Sequence, residues 1–82
     1  MSAIDHLLVA ARAYGQAEGL DLTTVSWRLF QDSKKLGALV DGADIQTRRL
    51  ERAMAWLSGN WPEGAEWPPA VPRPAISSGA AA

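Results

Sequence analysis

Cysteine is absent from this sequence and histidine occurs once, at position 6. A disulfide framework and a thiolate metal site are thereby excluded, and His6 alone cannot complete a zinc coordination sphere. No cofactor, metal or small-molecule ligand is expected. Charge is scarce too: eight Lys and Arg face nine Asp and Glu, a net charge of -1. An overall basic character, the usual mark of a nucleic-acid binder, is therefore missing, and any such role has to be local. The opening MSAIDHLLVAARAYG has no basic leader and carries Asp5, His6 and Arg12 within its apolar run. Neither a signal peptide nor a membrane span is expected, and the location expected is cytoplasmic. Also lacking are a glycine-rich phosphate loop, a glycine-framed nucleophile turn, an alternating strand pattern and an internal repeat. Asp5 and His6 are neighbours in a helical segment and point in different directions, so they build no triad with a serine. The chain is not expected to be an enzyme.

What the sequence does contain is helical periodicity. Ile4, Leu7, Leu8, Ala11 and Tyr14 fall on one helix face, with Ser2 as cap and Gly19 as stop. A shorter helix, capped by Asp21 or Thr23 and running to Phe30, aligns Leu22, Val25 and Leu29 and turns Thr24, Trp27 and Arg28 the other way. A third, capped by Asp32 or Ser33, is expected to bury Leu36, Leu39 and Val40 and to stop at Gly42. The chain restarts at Asp44. A fourth helix, roughly Ile45 to Ser58, buries Leu50, Ala53, Met54 and Leu57, shows Arg48, Arg49 and Arg52 outward and ends at Gly59. The fold class is all-α: a small bundle of four helices, or five, with a Pro/Trp-rich C-terminal tail.

All five prolines, Pro62, Pro68, Pro69, Pro72 and Pro74, follow Trp61 and forbid a helix interior there. A domain at 1–60 is thus followed by a tail at 61–82, first folded back over the core by Trp61 and Trp67, then disordered through SSGAAA. A chain of 82 residues supports one domain. At this size only about 60% of the unfolded surface is buried on folding, which favours a partner subunit or a very tight core.

Charge is distributed unevenly. From Thr23 to Arg52 six basic residues (Arg28, Lys34, Lys35, Arg48, Arg49, Arg52) face four acidic ones, whereas the flanks set Asp5, Glu18, Asp21, Glu63 and Glu66 against Arg12 and Arg73. The central segment is the expected nucleic-acid face.

Two short helices joined by a turn, inside a small bundle, are the arrangement in which one helix braces on the DNA backbone and the next enters the major groove. The run TTVSWRLFQDSKKLGALVDGADIQTRRLERAMAWL resembles the second, third and fourth helices of lambda-repressor-like and Cro-like regulators of phage type. Leu36, Leu39 and Gly42 hold that family's apolar-x-x-apolar-x-x-Gly ending, with Ile45, Leu50 and Ala53 as packing positions, and the likeness spans about residues 4 to 58. It departs at Leu22, Thr23 and Thr24, where the family often has a small residue and a glutamine. In this register Thr23 to Phe30 braces and Ser33 to Val40 reads. A second register is similar to the reading segment of lactose-repressor-like proteins, through Gly19, Leu20, Thr24, Val25 and Ser26, with Asp21 in place of the capping serine and Trp27 in place of a frequent arginine. There Thr23 to Phe30 reads. The first register accounts for more of the chain.

The resemblance implies a helix-turn-helix transcriptional regulator, associated with the nucleoid, that binds double-stranded DNA as a homodimer on half-sites about 34 to 36 Å apart. Thr23, Thr24 and Ser26 suit phosphate contacts, with Trp27 and Arg28 beside them. Ser33, Lys34 and Lys35 suit groove entry, and Arg48 and Arg49 flanking phosphates. The rival reading is a helical adaptor, an anti-repressor or RNA polymerase-binding protein, that presents Trp27 and the Trp-rich tail to another regulator.

Overall fold

The computed structural model describes residues 2–74, and among them the chain forms four helices and no strand. These are α1 (Ala3–Glu18), α2 (Leu22–Phe30), α3 (Lys35–Val40) and α4 (Thr47–Gly59). None is long and apolar enough to cross a membrane. The end of the tail, residues 75–82, expected to be disordered, lies outside the described residues.

Local chemistry sets most boundaries. At the start of α1 the Ser2 hydroxyl accepts the Asp5 N–H at 3.1 Å while the Asp5 carboxylate accepts the Ser2 N–H at 3.1 Å, a reciprocal capping box. Gly19 ends α1 in the left-handed region at φ 71°. Between them Gly15 serves packing: a β-carbon there would lie 3.0 Å from the Leu20 carbonyl oxygen and 3.1 Å from Val25 Cγ2, so α1 and α2 approach closely only because the residue is glycine. Asp21 caps α2 by accepting the Thr24 N–H at 2.9 Å and the Thr23 hydroxyl at 3.0 Å.

Two helices begin later than their periodicity suggests. The Asp32 carboxylate accepts the Lys34 N–H at 2.9 Å, which folds Asp32 and Ser33 into a turn ahead of α3 and leaves Lys34 at its N-terminal boundary without a side-chain cap. Asp44 and Ile45 likewise belong to the linker, because Gln46 takes an extended conformation before α4. Gly59 is the last residue of α4 and does not stop it. The end is made by Asn60, whose backbone N–H and side-chain amide both donate to the Trp56 carbonyl at 2.9 Å. Val40, expected in the core, is 45% exposed. It closes α3 at the edge of the Leu36 and Leu39 stripe, where the short helix runs out of neighbours.

The core gathers Leu7, Ala10, Ala11 and Tyr14 from α1, Val25 and Phe30 from α2, Leu36 and Leu39 from α3, and Ala53, Met54 and Leu57 from α4. α1 packs against all three other helices, and α2 packs on α3 and α4. Residues 61–74 cross this bundle as a strap. Val71 is buried, and Trp61 and Trp67 pack against the core with ring centroids 4.6 Å apart. Each indole N–H is satisfied within the strap, by the Ala65 carbonyl at 2.9 Å and the Val71 carbonyl at 2.8 Å. Arg73 lies 5.1 Å over the Trp67 ring and donates to the Ser58 hydroxyl at 3.0 Å and the Ser58 carbonyl at 2.8 Å, which ties the strap to the end of α4.

Candidate nucleic-acid interface

The joint between α2 and α3 is organised by one hydroxyl. Ser26 is fully buried; its Oγ donates to the Asp32 carbonyl and accepts the Leu36 N–H at 3.0 Å. The first bond holds the turn and the second holds the first turn of α3, so a single side chain fixes the angle between the helices. Ser26 is buried with its single O–H already donated, so it has no donor to offer a phosphate, and its expected contact role is corrected to a structural one. The chain passes from α2 into the turn at Gln31, a non-glycine residue with φ 54°, whose N–H bonds the Trp27 carbonyl at 2.8 Å.

The remaining α2 positions divide. Thr23 is exposed and Thr24 half-buried, but the Thr23 hydroxyl and the Thr24 N–H are already given to Asp21. Those bonds, the Thr24 N–H foremost, hold the Asp21 carboxyl below the usual carboxylate range. A negative charge is thus fixed at the start of α2. Arg28 turns toward α1, where it donates to the Tyr14 hydroxyl at 2.9 Å and approaches the Glu18 carboxylate at 3.9 Å. The ion pair is half-exposed and contributes little to stability, yet together with the tyrosine contact it directs Arg28 away from α3. Trp27, by contrast, stands 53% exposed.

Ser33 and Lys34 lie exposed in the turn before α3. Lys35, half-buried, reaches across to donate to the Asp44 carbonyl at 3.2 Å. Arg48 and Arg49 are exposed in the first turn of α4, and the Arg49 guanidinium sits 5.2 Å over the Phe30 ring. Lys35, Asp44, Ile45, Gln46 and Arg49 line an open cleft of about 690 Å³. Its floor is the start of α4, where Gln46 supplies no side-chain cap. The first N–H groups of that helix consequently lack the acceptor that Asp21 provides for α2.

Lys35 and Arg49 are therefore brought to one cleft, with Lys34 and Arg48 exposed next to them in sequence, whereas Ser26 and Arg28 are turned to other partners. The uncapped start of α4 and the seat of Arg49 on Phe30 were not anticipated from the sequence. Only the first had a visible signal, the absence of Ser, Thr, Asp or Asn immediately before Thr47. Among the described residues no group of three or more His, Cys, Asp and Glu side chains is placed to hold a metal. Comparison with known proteins yields no match among family models, curated proteins or solved structures.

Proposed function

We propose that this chain is a DNA-binding transcriptional regulator in which α2 braces on the duplex and α3 enters the major groove. The observation that carries this reading is the α2-turn-α3 unit locked by Ser26, with the uncapped, arginine-bearing start of α4 beside it. Helix N-termini hold phosphates through unsatisfied N–H groups, and cations next to them strengthen the attraction. At α4 the free donors, Arg48 and Arg49 meet that requirement. At α2 the Asp21 carboxylate occupies the donors of the helix start, so α2 braces through its exposed flank and not through its N-terminus. The commitment of Ser26 to the turn and α3, and of Arg28 to α1, favours α3 over α2 as the reading helix.

Lys34 and Lys35 supply positive charge at the groove end of α3, and Ser33 an additional hydroxyl. A six-residue reading helix makes few base contacts, so affinity rests on phosphates and on a second copy of the chain bound to the neighbouring half-site. A homodimer on a near-palindromic operator follows from the reading, as does association with the nucleoid.

A second reading, a protein-binding adaptor that engages RNA polymerase or another regulator, draws on the exposure of Trp27 and Val40. It loses the tail tryptophans it called on, since Trp61 and Trp67 pack on their own core. A mobility-shift assay with duplex DNA at low salt separates the two. DNA binding predicts a complex that dissociates steeply as salt rises and is abolished in the Lys34→Glu, Lys35→Glu double variant. Absence of any complex with the unaltered chain at low salt rejects the reading in favour of the adaptor.

A further inference from the structure

Trp27 differs from the other three tryptophans. Trp56, Trp61 and Trp67 pack against the core, with Trp56 edge-on to Tyr14 at 5.6 Å. The indole N–H groups of Trp61 and Trp67 are bonded to carbonyls. Trp27 is 53% exposed, and its N–H, like that of Trp56, donates to no described residue. An exposed indole gains nothing from burial in the isolated chain and leaves a directional donor in solvent.

Its place on α2 connects it to the basic side of the molecule. Thr23 lies one turn before it and Gln31 one turn after, while Phe30, three residues on, occupies the adjoining face. The Phe30 ring carries the Arg49 guanidinium at 5.2 Å, and Arg49 lines the cleft with Lys35. By the register of α2 Trp27 adjoins Phe30, which is itself buried and covered by Arg49, so a band from Trp27 to Arg49 and Lys35 has an apolar, donor-bearing end and a cationic end. Asp44 also lines the cleft, but its carbonyl is the atom that holds Lys35. A strand with a regularly spaced negative charge and an apolar sugar between charges matches both ends of the band.

We propose that Trp27 is a backbone anchor for such a strand, its indole N–H donating to a phosphate oxygen and its ring lying along the adjacent deoxyribose. The inference rests on the DNA-binding reading and adds a contact made by a neutral group. A neutral donor releases no counterion, whereas an arginine does, and the two therefore differ in salt dependence.

The test is fluorescence anisotropy of a labelled duplex, titrated with the unaltered chain and with Trp27→Phe, Trp27→Ala and Arg49→Ala across a range of salt. Trp27 is exposed, so both its variants fold, which matching circular dichroism melts verify. Trp27→Phe weakens binding about tenfold at every salt concentration, as loss of a hydrogen bond to a charged group requires, and Trp27→Ala, which also loses the ring contact, weakens it further, both with the salt slope unchanged. Arg49→Ala flattens the slope by about 1. If Trp27→Phe and Trp27→Ala bind like the unaltered chain while Arg49→Ala flattens the slope, the anchor is disproved and the DNA-binding reading stands. Weakening by Trp27→Ala alone disproves the donor role, because phenylalanine keeps the ring. No binding by the unaltered chain at low salt removes the DNA-binding reading and the anchor together.

Discussion

Around α2 and α3 the chain is pinned by polar atoms: the Ser26 hydroxyl between Asp32 and Leu36, the Asp32 carboxylate on Lys34, and the Asp21 carboxylate on Thr23 and Thr24. Around α1, α4 and the strap most contact is apolar, with Leu7 and Leu57 fully buried and Trp56, Tyr14, Trp61 and Trp67 in a chain of edge-on and tilted ring contacts, to which Arg73 adds a polar tie at Ser58. Hydrogen bonds fix angles but add little net stability each, whereas burial supplies stability with less directional control. The division suits the proposed function, in which one half would hold the geometry of a small recognition unit while the other supplies most of the folding free energy.

Substitutions that strike one half at a time separate these contributions. The largest effect is expected from Leu57→Ala, which leaves a cavity in the apolar half and costs about 3 kcal/mol, read as a fall in thermal midpoint of about 4–8 °C per kcal/mol in a domain of this size. Ser26→Ala strands the buried Leu36 N–H and costs about 2 kcal/mol. It should also loosen α3 selectively, so that amide exchange at Leu36 and its neighbours accelerates more than exchange in α1. Uniform acceleration would deny Ser26 its role as the local pin. Arg73→Ala removes the bonds to Ser58 and the contact with Trp67, a loss of about 1 kcal/mol confined to the strap, where exposure of Trp67 to a soluble quencher reports it.

Two smaller changes sharpen the polar half. Gln31 holds a left-handed conformation in which a β-carbon is unfavourable, so Gln31→Gly should gain about 0.5 kcal/mol after the extra conformational entropy that glycine gives the unfolded chain is set against the relieved strain, measured by denaturant titration. Asp21 has a folded pKa below its unfolded value, chiefly through the Thr24 N–H. Its contribution is complete above the unfolded carboxylate pKa and is lost as pH falls through the folded value. Asp21→Asn keeps an N-cap without the charge, so its stability should decline less than that of the unaltered chain on acidification through this range. Asp5, lowered mainly by the Ser2 N–H, leaves a residual decline of the same sign.

The periodicity of Leu7, Ala11, Tyr14, Val25, Leu36, Leu39, Ala53 and Leu57 made the four helices legible, because apolar stripes at helical spacing need a common core whatever its details. The caps at Ser2 and Asp21 and the glycine stop at Gly19 were legible for the same local reason. Less so was the division of labour among polar residues. Ser26 reads as one more hydroxyl beside Thr23 and Thr24 until α3 is folded against it, since its partners are six and ten residues away. Arg28 reads as a free cation until Tyr14, fourteen residues earlier, is brought next to it. Both positions depend on tertiary contacts that no local window contains. The basic character of the segment holding Lys34, Lys35, Arg48 and Arg49 was visible as a local charge excess, but where α4 begins, on which its lack of a cap depends, is set by the backbone of Gln46.

Selection of bound sites from a pool of random duplexes by the full chain tests the central claim most directly. A regulator reading DNA through α3 as a homodimer should enrich a short motif repeated with inverted symmetry, its centres about one helical turn, or 34 to 36 Å, apart. Recovery of sequences no different from the starting pool, under low-salt conditions that preserve weak complexes, would contradict it.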